Sequence, residues 1–112
     1  MRHNAFQPKP LTEPVLLILA SLATGPRHGY ALMKDIENLS SGRVRMSTGT
    51  LYGALARLLE EGWIEKFEQQ DTSREKQAYR LTAEGRRQLE GEVERMKQLT
   101  RAASSRLKMR EV

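Results

Sequence analysis

Cysteine is absent from this chain of 112 residues. That excludes disulfides and thiolate metal sites, and it fits a reducing cytoplasm, where structural disulfides are rare. Aromatic residues make up only 5% of the sequence, so a core must be built mainly from Leu, Ile, Val and Met. Long apolar runs are missing too. The longest, Val15 to Ala20 with Leu22 and Ala23 behind it, falls far short of the roughly 20 residues of a membrane span. Pro8, Pro10 and Pro14 precede or interrupt its approach and no cleavage-like site stands out, so a secretory signal is not expected. Histidine occurs twice, as His3 and His28, and no His/Cys/Asp/Glu cluster has metal-ligand spacing. No glycine-rich phosphate loop follows a strand-like segment. An enzyme, a metal and a cofactor are therefore not expected, and the chain reads as soluble and cytoplasmic.

What is present bounds the rest. The length suits one domain with a single modest core. A net charge of +5, from 19 basic and 14 acidic residues, and a pI of about 9.9 make polyanions the expected partners.

Residues 1–11 carry two prolines and no periodicity, which predicts a loose arm whose Arg2 and Lys9 could touch a DNA backbone or a partner subunit. Thr12 to Ala23 reads as a first helix, apolar nearly all round, with Pro14 tolerated in its first turn. Such a helix belongs in the core or in a subunit interface. Thr24-Gly25-Pro26-Arg27 reads as a turn. A second helix is predicted over Gly29–Leu39, with Leu32, Met33, Ile36 and Leu39 facing the core and Lys34, Asp35, Glu37 and Asn38 outward.

The next stretch, Ser47 to Gly62, is the one around which the chain is organised. Leu51, Leu55, Leu58 and Leu59 form an apolar stripe at helical spacing. Gly49, Gly53 and Ala56 fall on the other side, beside Tyr52 and Arg57. Ser47 or Thr48 can cap the start, and Gly62 stands where a helix stops. Interior glycine costs a helix roughly 1 kcal/mol relative to alanine. Gly53 thus implies close approach by something, either a neighbouring helix or a duplex.

Trp63–Glu68 and Lys76–Leu81 read as two strands joined by the polar connection Gln69–Glu75, a hairpin that must pack on the helices to be stable. Thr82 caps a long last helix. Along it Leu89, Val93, Met96, Thr100, Ala103 and Leu107 alternate spacings of four and three, a heptad seam that predicts pairing with a second copy. The fold class expected is mainly α with a two-stranded wing, a winged helix-turn-helix. Its parts are an arm (1–11), a DNA-binding domain (12–82) and a dimerisation helix (83–112).

DNA binding then has a mechanism. The second helix of a helix-turn-helix enters the major groove with its N-terminal residues on base edges. Here Ser47, Thr48 and Thr50 offer hydroxyls, Gly49, Gly53 and Ala56 leave room, Tyr52 brings a phenol and Arg57 a cation. Glu60 and Glu61 are expected to point away from the groove, and Arg74 and Lys76 to reach the duplex from the wing tip. Bland readings stand beside these: a partly buried Tyr52 ring, and an ordinary solvated loop at Arg74 and Lys76. The dimerisation residues expected are Leu89, Val93, Met96, Leu99, Ala103 and Leu107. A small-molecule effector is expected, if anywhere, at the dimer interface near the first and last helices, where Met96 and Leu99 offer adaptable apolar walls. Plain core is the bland reading of that stripe.

At these residues the sequence resembles the PadR family of bacterial transcriptional regulators. The resemblance runs from about Leu16 to Leu89. It rests on His28-Gly29-Tyr30, on Gly49-Thr50-Leu51-Tyr52 with Leu55, Leu58, Glu60 or Glu61 and Gly62, on Trp63-Ile64-Glu65, and on Tyr79-Arg80-Leu81-Thr82-Ala83-Glu84-Gly85. The last piece is shared with MarR-type winged helices. The resemblance implies a dimeric DNA-binding regulator, usually a repressor released by a small molecule or another signal. It places recognition-helix contacts on Thr48, Gly49, Thr50 and Tyr52, and wing cations on Arg74 and Lys76. The single last helix is similar to the short branch of the family. Two departures stand out. Gly53 occupies a position where the family typically has proline, and the wing Asp71-Thr72-Ser73-Arg74-Glu75 is more acidic than the family's usual wing. The alternative reading is a winged helix used as a protein-interaction module with no operator of its own.

Overall fold

The computed structural model describes residues 9–67 and 77–110. Within them the chain runs α1 (Glu13–Leu22), β1 (Arg27–His28), α2 (Gly29–Leu39), α3 (Thr48–Glu61), β2 (Ile64–Phe67), β3 (Ala78–Leu81) and α4 (Ala83–Arg110). The helix starts follow their caps. Thr12 Oγ1 accepts from Val15 N–H and Pro14 sits in the first turn of α1. Ser47 Oγ accepts from Thr50 N–H at 3.1 Å to open α3. Helix α3 stops at Gly62 in the left-handed region (φ +77°), where Trp63 N–H returns to Leu58 O at 3.0 Å.

Apolar side chains of three helices and the sheet meet in the core: Ile18, Leu19 and Leu22 of α1, Leu32 and Ile36 of α2, Leu51, Leu55 and Leu58 of α3, with Ile64 and Tyr79 from the sheet. Ser21 is buried among them and donates to Asp35 Oδ2 at 2.6 Å, while Arg27 Nε donates to Ser21 O at 2.9 Å. Asp35, expected to face outward, is therefore half-buried, because a buried hydroxyl needs an acceptor. Leu39, expected to face the core, is 50% exposed. It sits in the last turn of α2, on the rim of a groove it shares with α1 and α4.

The hairpin has a third strand, Arg27–His28, which sequence reading divided between a turn and the start of the second helix. Arg27 pairs with Tyr79 and His28 with Ala78, giving the antiparallel order β1-β3-β2. A two-residue strand has no periodicity to read; only its partner some 50 positions away defines it. The expected strand ends at Glu68 and Lys76, and the connection between them, lie outside the described residues.

The sheet is fastened to α4 at one joint. Thr82 N–H donates to Trp63 O at 3.0 Å, Thr82 Oγ1 donates to Gly62 O at 2.6 Å, and Gly85 N–H donates back to Thr82 Oγ1 at 3.0 Å. Gly85 is buried against this turn, and a Cβ there would lie 2.0 Å from Trp63 O. Farther along α4, Glu92 is 4% exposed. Its carboxylate accepts from Arg95 Nε at 2.9 Å and Nη2 at 2.7 Å, and from Leu11 N–H at 3.2 Å. The Arg95 hydrogen bonds hold the carboxyl below the usual carboxylate range; burial opposes them, and Leu11 N–H assists. Twenty-eight residues make α4 about 42 Å long, so it outruns the body it packs on.

Candidate nucleic-acid interface

Helix α3 presents a face almost without side chains. Gly49, Gly53 and Ala56 are all exposed, and a Cβ at Gly49 or Gly53 would meet nothing within 4 Å. Among the described residues, then, Gly53 serves no helix–helix contact, and its backbone is open. Glu60 follows Ala56 by four residues and continues the same stripe, contrary to the expectation that it points away. Seven residues separate it from Gly53, so it lies about 10 Å farther along the axis, towards the C-terminal end. Glu61 turns to the flank, towards α4.

At the N-terminal end the hydroxyls divide the work. Ser47 Oγ, already accepting from Thr50 N–H, also donates to Thr50 Oγ1 at 3.0 Å. Ser47 thereby caps the helix, and Ser47, Thr48 and Thr50 all stand exposed. Tyr52 leaves the open face. Its ring is half-buried against the core, and its Oη lies where a Cβ on Gly29 would come within 2.2 Å. The start of α2 and the recognition helix are thus seated on each other through Gly29 and Tyr52. Arg57 is exposed on the opposite flank. There it lines a groove of about 680 Å³ with Lys9, Trp63 and Arg87. Arg74 and Lys76 lie outside the described residues.

Three arginines near α3 are engaged. Arg43 pairs with Glu13, Arg45 Nε lies 3.3 Å from Glu37 Oε2, and Arg80 Nε donates to Glu65 Oε2 at 2.6 Å beside the Phe67 ring. Residues 1–94 hold 13 basic and 13 acidic side chains, so the net charge of the protein resides in 95–112. Composition alone does not reveal that the basic excess sits on the distal part of α4 and leaves the recognition helix without it.

Along α4, Leu89 packs partly against the core, while Val93 (41%), Leu99 (55%) and Leu107 (69%) are exposed together with Met96 and Ala103. Val93 and Met96 line an apolar groove of about 470 Å³ with Leu16, Leu17, Ala20 and Leu39. Leu99, expected beside Met96, is outside that lining. The exposed stripe is interrupted, with Thr100 and Ala103 between Met96 and Leu107.

The profile of the transcriptional regulator PadR-like family matches residues 18–91. The chain belongs to this family. It holds a winged helix-turn-helix of PadR type, the domain that marks this family of transcriptional regulators. A transcriptional regulator from Clostridium thermocellum is 25% identical with a TM-score of 0.68, over 81% of this chain and 89% of that one. Bacillus subtilis PadR in complex with operator DNA is 26% identical with a TM-score of 0.61, over 73% of this chain and 46% of that one. A PadR family regulator from Clostridium difficile, 22% identical with a TM-score of 0.70 over 86% of this chain and 99% of that one, shares the fold. An uncharacterized 37.1 kDa protein of transposon TN4556 from Streptomyces fradiae is 40% identical over 85 residues, 76% of this PadR-like chain. The chain spans only 23% of that curated relative. Among the described residues, no helix is long and apolar enough to cross a membrane.

Proposed function

We propose that this PadR-like protein is a cytoplasmic homodimeric repressor whose α3 helices read the two halves of a palindromic operator. The observation that carries the reading is the bare outer face of α3, where Gly49, Gly53 and Ala56 stand open at the N-terminal half of a capped helix. A duplex can approach that backbone as no side-chain-covered helix allows. Thr48 and Thr50 then meet base edges or phosphates, Arg57 meets a phosphate from the flank, and Tyr52 sets the seating of α3 on α2. Residues 12–82 do the reading, with Arg74 and Lys76 contributing from the wing, and 83–112 join the copies.

The charge of α4 supports the dimer. Residues 83–94 hold four acids against two arginines, and 95–110 hold six cations and no acid. Antiparallel pairing of two α4 helices sets the acidic half of one beside the basic half of the other while closing the Val93–Met96–Leu107 seam. Half-sites then lie about one DNA turn apart or a multiple of it. A small apolar effector fits the groove beside Val93 and Met96, and a thermal-shift screen in which no compound stabilises the protein counts against it.

The test is selection of bound fragments from a random duplex pool, with sedimentation at micromolar concentration alongside. An enriched inverted repeat and a dimer support the reading. Salt-sensitive binding without an enriched motif, or a monomer, overturns it in favour of an interaction module.

A further inference from the structure

The groove of about 680 Å³ on the Arg57 flank of α3 has a chemistry that the core and the recognition face leave unused. Three walls close it: the segment 9–12, the side of α3 that carries Ala54, Arg57 and Glu61, and the stretch of α4 from Arg87 to Gly91. The first wall is tied down, because Leu11 N–H donates to Glu92 Oε2 at 3.2 Å and Arg95 in turn holds that carboxylate. The volume suits a ligand of nucleotide size.

Its lining divides by chemistry. Trp63, the only tryptophan of the chain, is half-buried and lines the groove together with Leu11, Val15 and Leu58. An indole beside aliphatic walls is a platform on which a base stacks. Three cations and one acid complete the lining. Arg87 is paired with Glu84, whose carboxylate also accepts from Gln88 Nε2 at 3.0 Å. Lys9, Arg57 and Glu61 have no ion-pair partner among the described residues. Arg57 brings a planar fork and Lys9 a point charge, from two different walls. A phosphomonoester carries about two charges and three acceptor oxygens to divide between them, whereas a carboxylate carries one charge. Glu61 is left to accept from an exocyclic amine of the base.

We infer that this groove binds a purine nucleoside monophosphate, with the base on Trp63 and the phosphate between Lys9 and Arg57. It is distinct from the apolar groove beside Val93 and Met96, since no described residue lines both. Binding also has a consequence for DNA, and this step rests on the reading that gives Arg57 to an operator phosphate. The nucleotide withdraws that cation, so the operator is held less tightly.

The test has two arms. In the first, the full-length protein without DNA is titrated with adenosine and guanosine 5′-monophosphates, read by Trp63 fluorescence and by calorimetry. At least one should quench the indole saturably. Its nucleoside, which lacks the phosphate, and ribose 5-phosphate, which lacks the base, should each bind more weakly by about ten-fold or more. Trp63→Leu should weaken nucleotide and nucleoside alike by about five-fold or more and leave ribose 5-phosphate unaffected. Lys9→Gln, at an exposed side chain that no fold contact needs, should weaken the nucleotide and spare the nucleoside. No saturable binding of either nucleotide, or equal affinity for nucleotide and nucleoside, overturns the site. In the second arm the selected operator is titrated across a range of salt with the nucleotide saturating. Loss of one phosphate contact lowers the slope of log K against log salt by about 0.9; if that contribution fades near 1 M salt, operator affinity falls about eight-fold at 0.1 M. The operator must weaken nucleotide binding by the same factor. Nucleotide binding with unchanged operator affinity overturns the coupling through Arg57 and leaves the site standing. A protein that binds the nucleotide and no duplex overturns the DNA-binding reading, and the coupling with it, while the site stands.

Discussion

Two glycines on the same helix provide opposite outcomes for the same substitution. Gly85 lies in the first turn of α4, where an added Cβ would stand 2.0 Å from Trp63 O, 2.9 Å from Trp63 C and 3.0 Å from Leu81 Cδ1. Ordinary contact begins near 3.4 Å, so backbone must retreat by more than an ångström. The carbonyl that must move is the one accepting from Thr82 N–H, at the joint between sheet and helix. Overpacking of this kind costs about 1–3 kcal/mol, and weakening that hydrogen bond adds about 0.5–1.5 kcal/mol. Alanine's helix preference returns roughly 1 kcal/mol. Gly85→Ala should thus destabilise the protein by about 0.5–3.5 kcal/mol net, a few degrees to more than ten in Tm at fixed protein concentration. Gly91, two turns on, is exposed with nothing within 4 Å of a Cβ. Gly91→Ala should therefore raise stability by about 0.5–1 kcal/mol. Thermal unfolding by circular dichroism, with both variants at the same concentration, decides the matter. A Gly85→Ala protein as stable as Gly91→Ala would mean that helix propensity alone acts and that the joint does not constrain α4.

Three further outcomes follow from the same contacts. Glu92 has its folded-state pKa lowered, so its contribution to stability is complete above the ordinary carboxylate value and is lost as pH falls through the depressed one; Tm against pH should drop more steeply below that ordinary value in wild type than in Glu92→Gln, and parallel curves refute the clamp on Leu11. In Gly29→Ala the new methyl displaces the Tyr52 hydroxyl, the flexible end of a side chain, so operator affinity should fall several-fold with little change in Tm; the reverse pattern would make Tyr52 a core residue only. Val93→Glu places a charge in the exposed seam of α4 and should shift sedimentation from dimer to monomer at micromolar concentration, whereas an unchanged dimer would move the interface elsewhere.

Much of the molecule follows from local pattern. The starts at Thr12, Ser47 and Thr82, the stop at Gly62 and the apolar stripes of α1, α2 and α3 depend on residues within one or two turns of each other, and those are legible in a linear sequence. The bare face of α3 is legible for the same reason, since Gly49, Gly53 and Ala56 share a helical period. Tertiary structure decided what depends on distant partners. Pairing with β3 alone makes Arg27–His28 a strand. Burial of Ser21 turns Asp35 inward, the open groove between α1 and α4 leaves Leu39 exposed on its rim, and the close approach of Gly29 takes Tyr52 off the open face. The grip of Glu92 on Leu11 spans 81 positions. Helical period assigns a side chain to a face, but only packing determines which elements lie against that face.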